Sequence, residues 1–117
     1  MPFRIQGTVV EDESSRALEG LLVRAYDKDV LRDDFLGEAR TDAGGRFEVV
    51  FTEVQFMDLH ETRPDLYVRV FDASGATLLG TTEDRVRKNA ELKERIDVRI
   101  PRTRLAHSRP AHWRGPL

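Results

Sequence analysis

Short runs of alternating apolar and polar residues, each broken by glycine or aspartate, constrain this chain more than any other property. Phe3, Ile5, Gly7 and Val9 alternate with Arg4, Gln6 and Thr8, the two-residue period of a strand with one buried face. Leu21, Val23 and Ala25 alternate with Leu22, Arg24 and Tyr26, and a third, short run follows at residues 35–41. Asp42-Ala43-Gly44-Gly45 then offers the positive-φ positions of a tight turn. Phe47, Val49 and Phe51 face one way on a fourth run. Leu66, Val68 and Val70 alternate with Tyr67, Arg69 and Phe71 on the next. A turn at residues 72–75, a run at 76–81 and the closing Ile96, Val98 and Ile100 complete the pattern.

One segment departs from this period. Val54 and Met57 lie three apart, as do Phe56 and Leu59, which suits a helical turn or two over residues 53–60. Pro64 limits it, because a residue before proline is pushed out of the α region. Residues 83–94 are charged and poorly periodic, a long loop with room for one helical turn. A βαβ fold needs repeated helices of about 10–15 residues, so the expectation is all-β: an antiparallel β-sandwich of about seven strands with one short helix. Phe3, Ile5, Val9, Val23, Ala25, Phe47, Val49, Phe51, Leu66, Val68, Val70, Ile96 and Val98 are its expected core.

A length of 117 residues suits one domain, and no cysteine is present to form disulfides or thiolate metal sites. Residues 1–100 carry net charge −6, whereas residues 101–117 hold four arginines and no acid. The expected organisation is therefore a sandwich over 1–100 and a basic, flexible tail over 101–117. No apolar stretch approaches the roughly 20 residues that span a bilayer, so no membrane span is expected. The first residues run directly into a strand without an apolar leader. That points to the cytoplasm, with export by a signal-independent route left open.

Gly7-x-Val9, Gly20-Leu21-x-Val23-x-Ala25, Leu36-Gly37 and Thr41-Asp42-x-x-Gly45-x-Phe47 together resemble the transthyretin-like, or carboxypeptidase-regulatory-like, β-sandwich domains. Pro64-Asp65-Leu66-Tyr67-Val68-x-Val70 and Ile96-Asp97-Val98-x-Ile100 are similar to bacterial members, and the likeness covers residues 3–100. It implies a prealbumin-like (Ig-like) sandwich. It also implies a non-catalytic protein-interaction or structural adaptor module, within a larger bacterial secretion or surface assembly. Two enzyme groups share this fold. Hydroxyisourate hydrolases carry a first-strand histidine and a terminal Tyr-Arg-Gly-Ser. Here the first strand lacks histidine and Trp113-Arg114-Gly115-Pro116 keeps only Arg-Gly, which leaves a degenerate hydrolase as a minor alternative. Intradiol dioxygenases need paired tyrosine and histidine iron ligands, and Tyr26, Tyr67, His60, His107 and His112 do not follow that spacing.

The acidic loop with Asp27, Asp29, Asp33 and Asp34 looks like one calcium-binding loop of a C2 domain, since calcium takes six to eight oxygens. Lys28 and Arg32 interrupt the cluster, and no second aspartate loop completes it. The competing reading is a solvated loop in which Asp27 or Asp33 caps a turn. No other cofactor is expected. His60, beside Glu61, Arg63 and Asp65, lacks a visible partner for acid–base work, and neither a nucleophile elbow nor a phosphate-cradling loop is present. In the tail, Arg104, Arg109, Trp113 and Arg114 form the Arg/aromatic mixture common at binding hot spots. The acidic body makes a protein partner or self-association the expectation there, and not nucleic acid.

Overall fold

The computed structural model describes residues 2–52 and 63–112. Among these residues, eight strands build two four-stranded sheets. They are β1 (Phe3–Glu11), β2 (Leu22–Asp27), β3 (Asp34–Arg40), β4 (Arg46–Phe51), β5 (Leu66–Phe71), β6 (Leu78–Thr81), β7 (Lys93–Arg95) and β8 (Val98–Ile100). A 3-10 turn at Glu83–Arg85 precedes β7, and a four-residue helix α1 (Arg102–Leu105) follows β8. The expected helix over residues 53–60 lies outside the described residues.

The first sheet pairs β4 antiparallel to one edge of β1, with Phe3 opposite Phe51 and Gly7 opposite Phe47. The other edge of β1 is divided. Residues Arg4–Gln6 pair with β7 and Val9–Glu11 with β8, both in parallel. The all-antiparallel expectation is corrected here, because the closing segment reaches β1 by crossing from the other sheet and not by a hairpin. Between its two halves, Ile96 N–H donates to the Gln6 carbonyl at 2.9 Å. Asp97 Oδ1 accepts from both Thr8 N and Thr8 Oγ1, at 2.9 and 3.0 Å. This crossing explains Gly7: a β-carbon there would sit 1.8 Å from the Ile96 carbonyl oxygen. Only a residue without a side chain fits.

The second sheet runs β3-β2-β5-β6, antiparallel throughout. The Thr41-Asp42-x-x-Gly45 hairpin carries the chain from this sheet to the first. Thr41, itself buried, donates through Oγ1 to the Leu18 carbonyl and accepts from Leu21 N. Asp42 Oδ1 gathers Gly44 N and Arg46 N, both at 2.9 Å. Gly45 takes φ +73°, and a β-carbon on it would lie 2.5 Å from the Val9 carbonyl oxygen. All thirteen expected core residues are buried between the sheets, joined by Leu18, Leu21, Leu36, Leu79, Ala90 and Ile100.

Candidate functional site

The outward side chains of the second sheet form cross-strand ladders. Register places Glu38, Arg24 and Arg69 in one row, and Phe35, Tyr26 and Tyr67 in the next. A bulge between Ala25 and Tyr26 sets that second row. Like charges directly opposite are destabilising in a sheet, so the Arg24–Arg69 pair needs relief on both sides. Glu38 supplies it to Arg24 at 3.4 Å and Glu83 to Arg69 at 3.2 Å. Each guanidinium also lies over a ring, Arg24 at 5.1 Å from the Phe71 centroid and Arg69 at 5.0 Å from that of Tyr26. Tyr26 and Tyr67 stack at 5.3 Å, and Phe35 meets Tyr26 edge-on at 5.9 Å.

At the end of this face stands the β2–β3 loop, in which Asp27, Asp29 and Asp33 each accept hydrogen bonds. Asp27 is fully buried, and its Oδ1 accepts from Asp65 N at 2.8 Å, while Lys28 N donates to the Asp65 carbonyl. The loop's base is thus clamped to one residue in both directions. Asp33 accepts from Tyr67 Oη and from Asp29 N. Burial pushes the Asp33 carboxyl up, but these bonds and the nearby Lys28 ammonium outweigh it and hold the group below its ordinary value. Burial first, and then the bond to Asp33, pushes the Tyr67 hydroxyl well up. Lys28 is also raised, chiefly by its 2.8 Å bond to Glu83. Asp29 Oδ1 accepts from the adjacent Val30 N–H, and Asp34 opens β3.

The four aspartates therefore do not converge on one point. Among the described residues, no group of three or more His, Asp or Glu side chains is placed to hold a metal ion. What the loop presents is apolar. Val30 is 97% and Leu31 95% exposed, and Phe35 at the start of β3 is 50% exposed. Nothing in the alternating pattern marks Val30 and Leu31, since they sit in a polar stretch. The only signal is two adjacent large apolar residues with no strand to join.

The outer face of the first sheet differs in kind. Arg4 and Gln6 both reach Glu48, Arg95 pairs with Asp97, and Arg46 with Asp42. An open groove of about 520 Å³ adjoins this face, lined by residues of both sheets, among them Gln6, Ala39, Arg40, Arg46, Phe47 and Arg95.

Two of the arginines singled out in the C-terminal segment contact the chain's own body. Arg104 donates to the Leu78 carbonyl at 3.2 Å, and Arg109 N to Asp72 Oδ2 at 2.8 Å. Leu105 packs against the core. Arg102 binds Glu11 at 2.9 Å, and with Ser14 and Arg16 it lowers that carboxyl to about 2. Residues 101–112 thus lie along the sandwich, with Leu105 gaining apolar cover and Asp72 a donor. Trp113 and Arg114 lie outside the described residues.

No protein-family model and no curated protein matches the chain. Solved structures do share its fold. A 9R-lipoxygenase from Cyanothece PCC8801 aligns over 86% of this chain with a TM-score of 0.58 and 22% identity. The chain spans only 16% of that protein's length. The dioxygenase domain of a dioxygenase carbohydrate-binding protein fusion from Streptomyces sp. SirexAA-E aligns over 86% of this chain and 79% of its own, with a TM-score of 0.52 and 18% identity. Likeness at these identities is one of fold. An all-β sandwich it is.

Proposed function

We propose that this chain is a non-catalytic protein-interaction module of the transthyretin-like kind, serving as an adaptor in a larger assembly. Its contact surface is the β2–β3 loop with the adjoining end of the β3-β2-β5-β6 face. One observation carries the reading: the loop is tied down from inside by Asp27, Lys28 and Asp33 while Val30 and Leu31 stand in water. A solvated connection has no need of two large apolar groups at its tip, whereas a rigid apolar knob beside an Arg/aromatic surface suits a protein contact. The charged groups nearby are engaged in holding structure, with Glu83 binding Lys28 and Arg69 and Asp33 binding Tyr67, which gives no poised acid–base pair.

The test is capture from an extract of the source cells on immobilised protein, comparing the unaltered chain, Leu31→Asp and Glu48→Ala. A species retained by the first and third and lost with Leu31→Asp is the expected result. Retention indifferent to Leu31→Asp would remove the loop from the contact and sink the reading.

A further inference from the structure

The strands at the sheet edges are finished in different ways. On the second sheet, β6 is met by α1, where Arg104 donates to the Leu78 carbonyl. On the first, Arg46 of β4 gives its N–H to Asp42 Oδ1 and takes Asp42 N on its carbonyl. The edge of β3 has no such cover. Thr41 N donates to Leu21 O across the β2–β3 ladder. Antiparallel bonding alternates along a strand, so Gly37 and Ala39 also turn to β2, while Glu38 and Arg40 turn their N–H and C=O groups outward. Among the described residues, no strand pairs with that edge. The space beside it is open, since the groove of about 520 Å³ is lined by Ala39 and Arg40 together with Phe47 and Glu48 of β4.

An unpaired edge invites another strand, and charged side chains are the usual guard. Here the guard is Glu38 and Arg40, both exposed, opposite in sign and two residues apart on one face. That spacing does not repel a second copy; it matches one. In an antiparallel pairing with a two-fold axis at Ala39, Glu38 stands opposite Arg40 of the second copy, and Arg40 opposite its Glu38. Moving the axis to Glu38 or to Arg40 sets like charges against each other. The bulge at Ala25/Tyr26 shifts the phase of β3 before Gly37, which confines the ladder to residues 37–41. Both side chains keep atoms for the pairing. Glu38 meets Arg24 through Oε1 at 3.4 Å, and Arg40 spends only Nη1, on the Gly20 and Ala73 carbonyls.

We infer that two copies of this chain join along β3, edge to edge and antiparallel about Ala39, into one continuous sheet. The interface is isologous, and it closes at two copies because Arg46 and Arg104 occupy the edges of β4 and β6. It is separate from the β2–β3 loop and goes beyond the contact proposed there. So short a ladder buries less than the roughly 1,000 Å² of a stable interface, which makes the dimer weak and concentration-dependent.

Sedimentation velocity on the full chain from about 10 μM to about 1 mM tests it. The weight-average sedimentation coefficient rises across the range and levels at two copies. Glu38→Arg and Arg40→Glu each set like charges across the axis and weaken the dimer about tenfold or more, with far-UV circular dichroism showing each still folded. Mixed in equal amounts they restore it, since both arginines of one then meet both glutamates of the other. Amide exchange at Glu38 and Arg40 slows as the dimer forms, and Leu31→Asp leaves the dimer intact. A chain that stays monomeric to about 1 mM overturns the proposal, as does a mixture that fails to recover or a dimer with unchanged exchange at those two amides. A dimer lost with Leu31→Asp would also overturn it, by moving the contact to the loop. If Arg40→Glu fails to fold, Glu38→Arg and the exchange rates decide.

Discussion

The two outer faces of this sandwich use charge in different ways. On the first sheet, Arg4, Glu48, Arg95 and Asp97 pair with one another in water, where exposed ion pairs contribute little. On the second, the arginines lie over aromatic rings and share Glu83 and Glu38 between strands, while a buried tyrosine anchors the loop. The first face is a solvated surface laid over a tightly crossed backbone. The second is a side-chain lattice that fixes a loop. Stability on one side lives in the main chain, and on the other in the side chains.

Four substitutions and one addition separate these cases, from the largest effect downward. Gly7→Ala forces a β-carbon into the Ile96 carbonyl at the crossing of β1 with β7 and β8. We expect a loss of at least about 3 kcal/mol by urea denaturation; a near-neutral result would mean that the first sheet is not held by close backbone approach. Tyr67→Phe deletes the donor to Asp33 and leaves its carboxylate with one bond fewer. The expected cost is about 1–3 kcal/mol, together with faster amide exchange at Asp29 and Val30. Unchanged exchange would separate the lattice from the loop.

At the far end of β1, the Arg102 guanidinium is the main cause that lowers Glu11 from 4.5 to about 2. A depressed carboxyl stabilises the fold above its unfolded value and loses that contribution as pH falls through the folded one. Melting temperatures of Arg102→Ala and the unaltered protein should therefore differ at pH 7 and converge as pH drops from 4.5 toward about 2. A gap that persists at low pH would assign the effect to packing of α1 instead. Glu48→Ala, on the paired face, should change stability by less than about 0.5 kcal/mol. Calcium should leave the melting temperature unmoved, since Asp27, Asp29 and Asp33 each serve a separate backbone or side-chain donor.

The strands and core were legible because alternation reports which side chains face inward. Every expected core residue, from Phe3 to Val98, is buried. The parallel pairing of β1 was not legible, since period two is the same whichever direction a partner runs. Gly7 was visible as a motif residue, yet its reason needs Ile96, far along the chain. The roles of the loop's aspartates were not legible. Acidic spacing draws attention to Asp27, Asp29, Asp33 and Asp34, but only register with β5 and the position of Asp65 show that two of them point inward to hold the loop. Val30 and Leu31 then remain as what it presents. Arg104 followed the same logic, because composition cannot tell a guanidinium tethered to the Leu78 carbonyl from a free cation.

The division of one edge of β1 between β7 and β8 also sets an order of events in folding. Thr8 finds Asp97 only across a separation of 89 residues. At about 5–20 residues per second of synthesis, the first strand waits several seconds or more for that edge to be covered. Contacts of such long range also slow the search once the chain is complete. During that interval, the strand that ends up most enclosed by partners is the one left longest with an open side, and so the one most dependent on chaperones or on speed elsewhere.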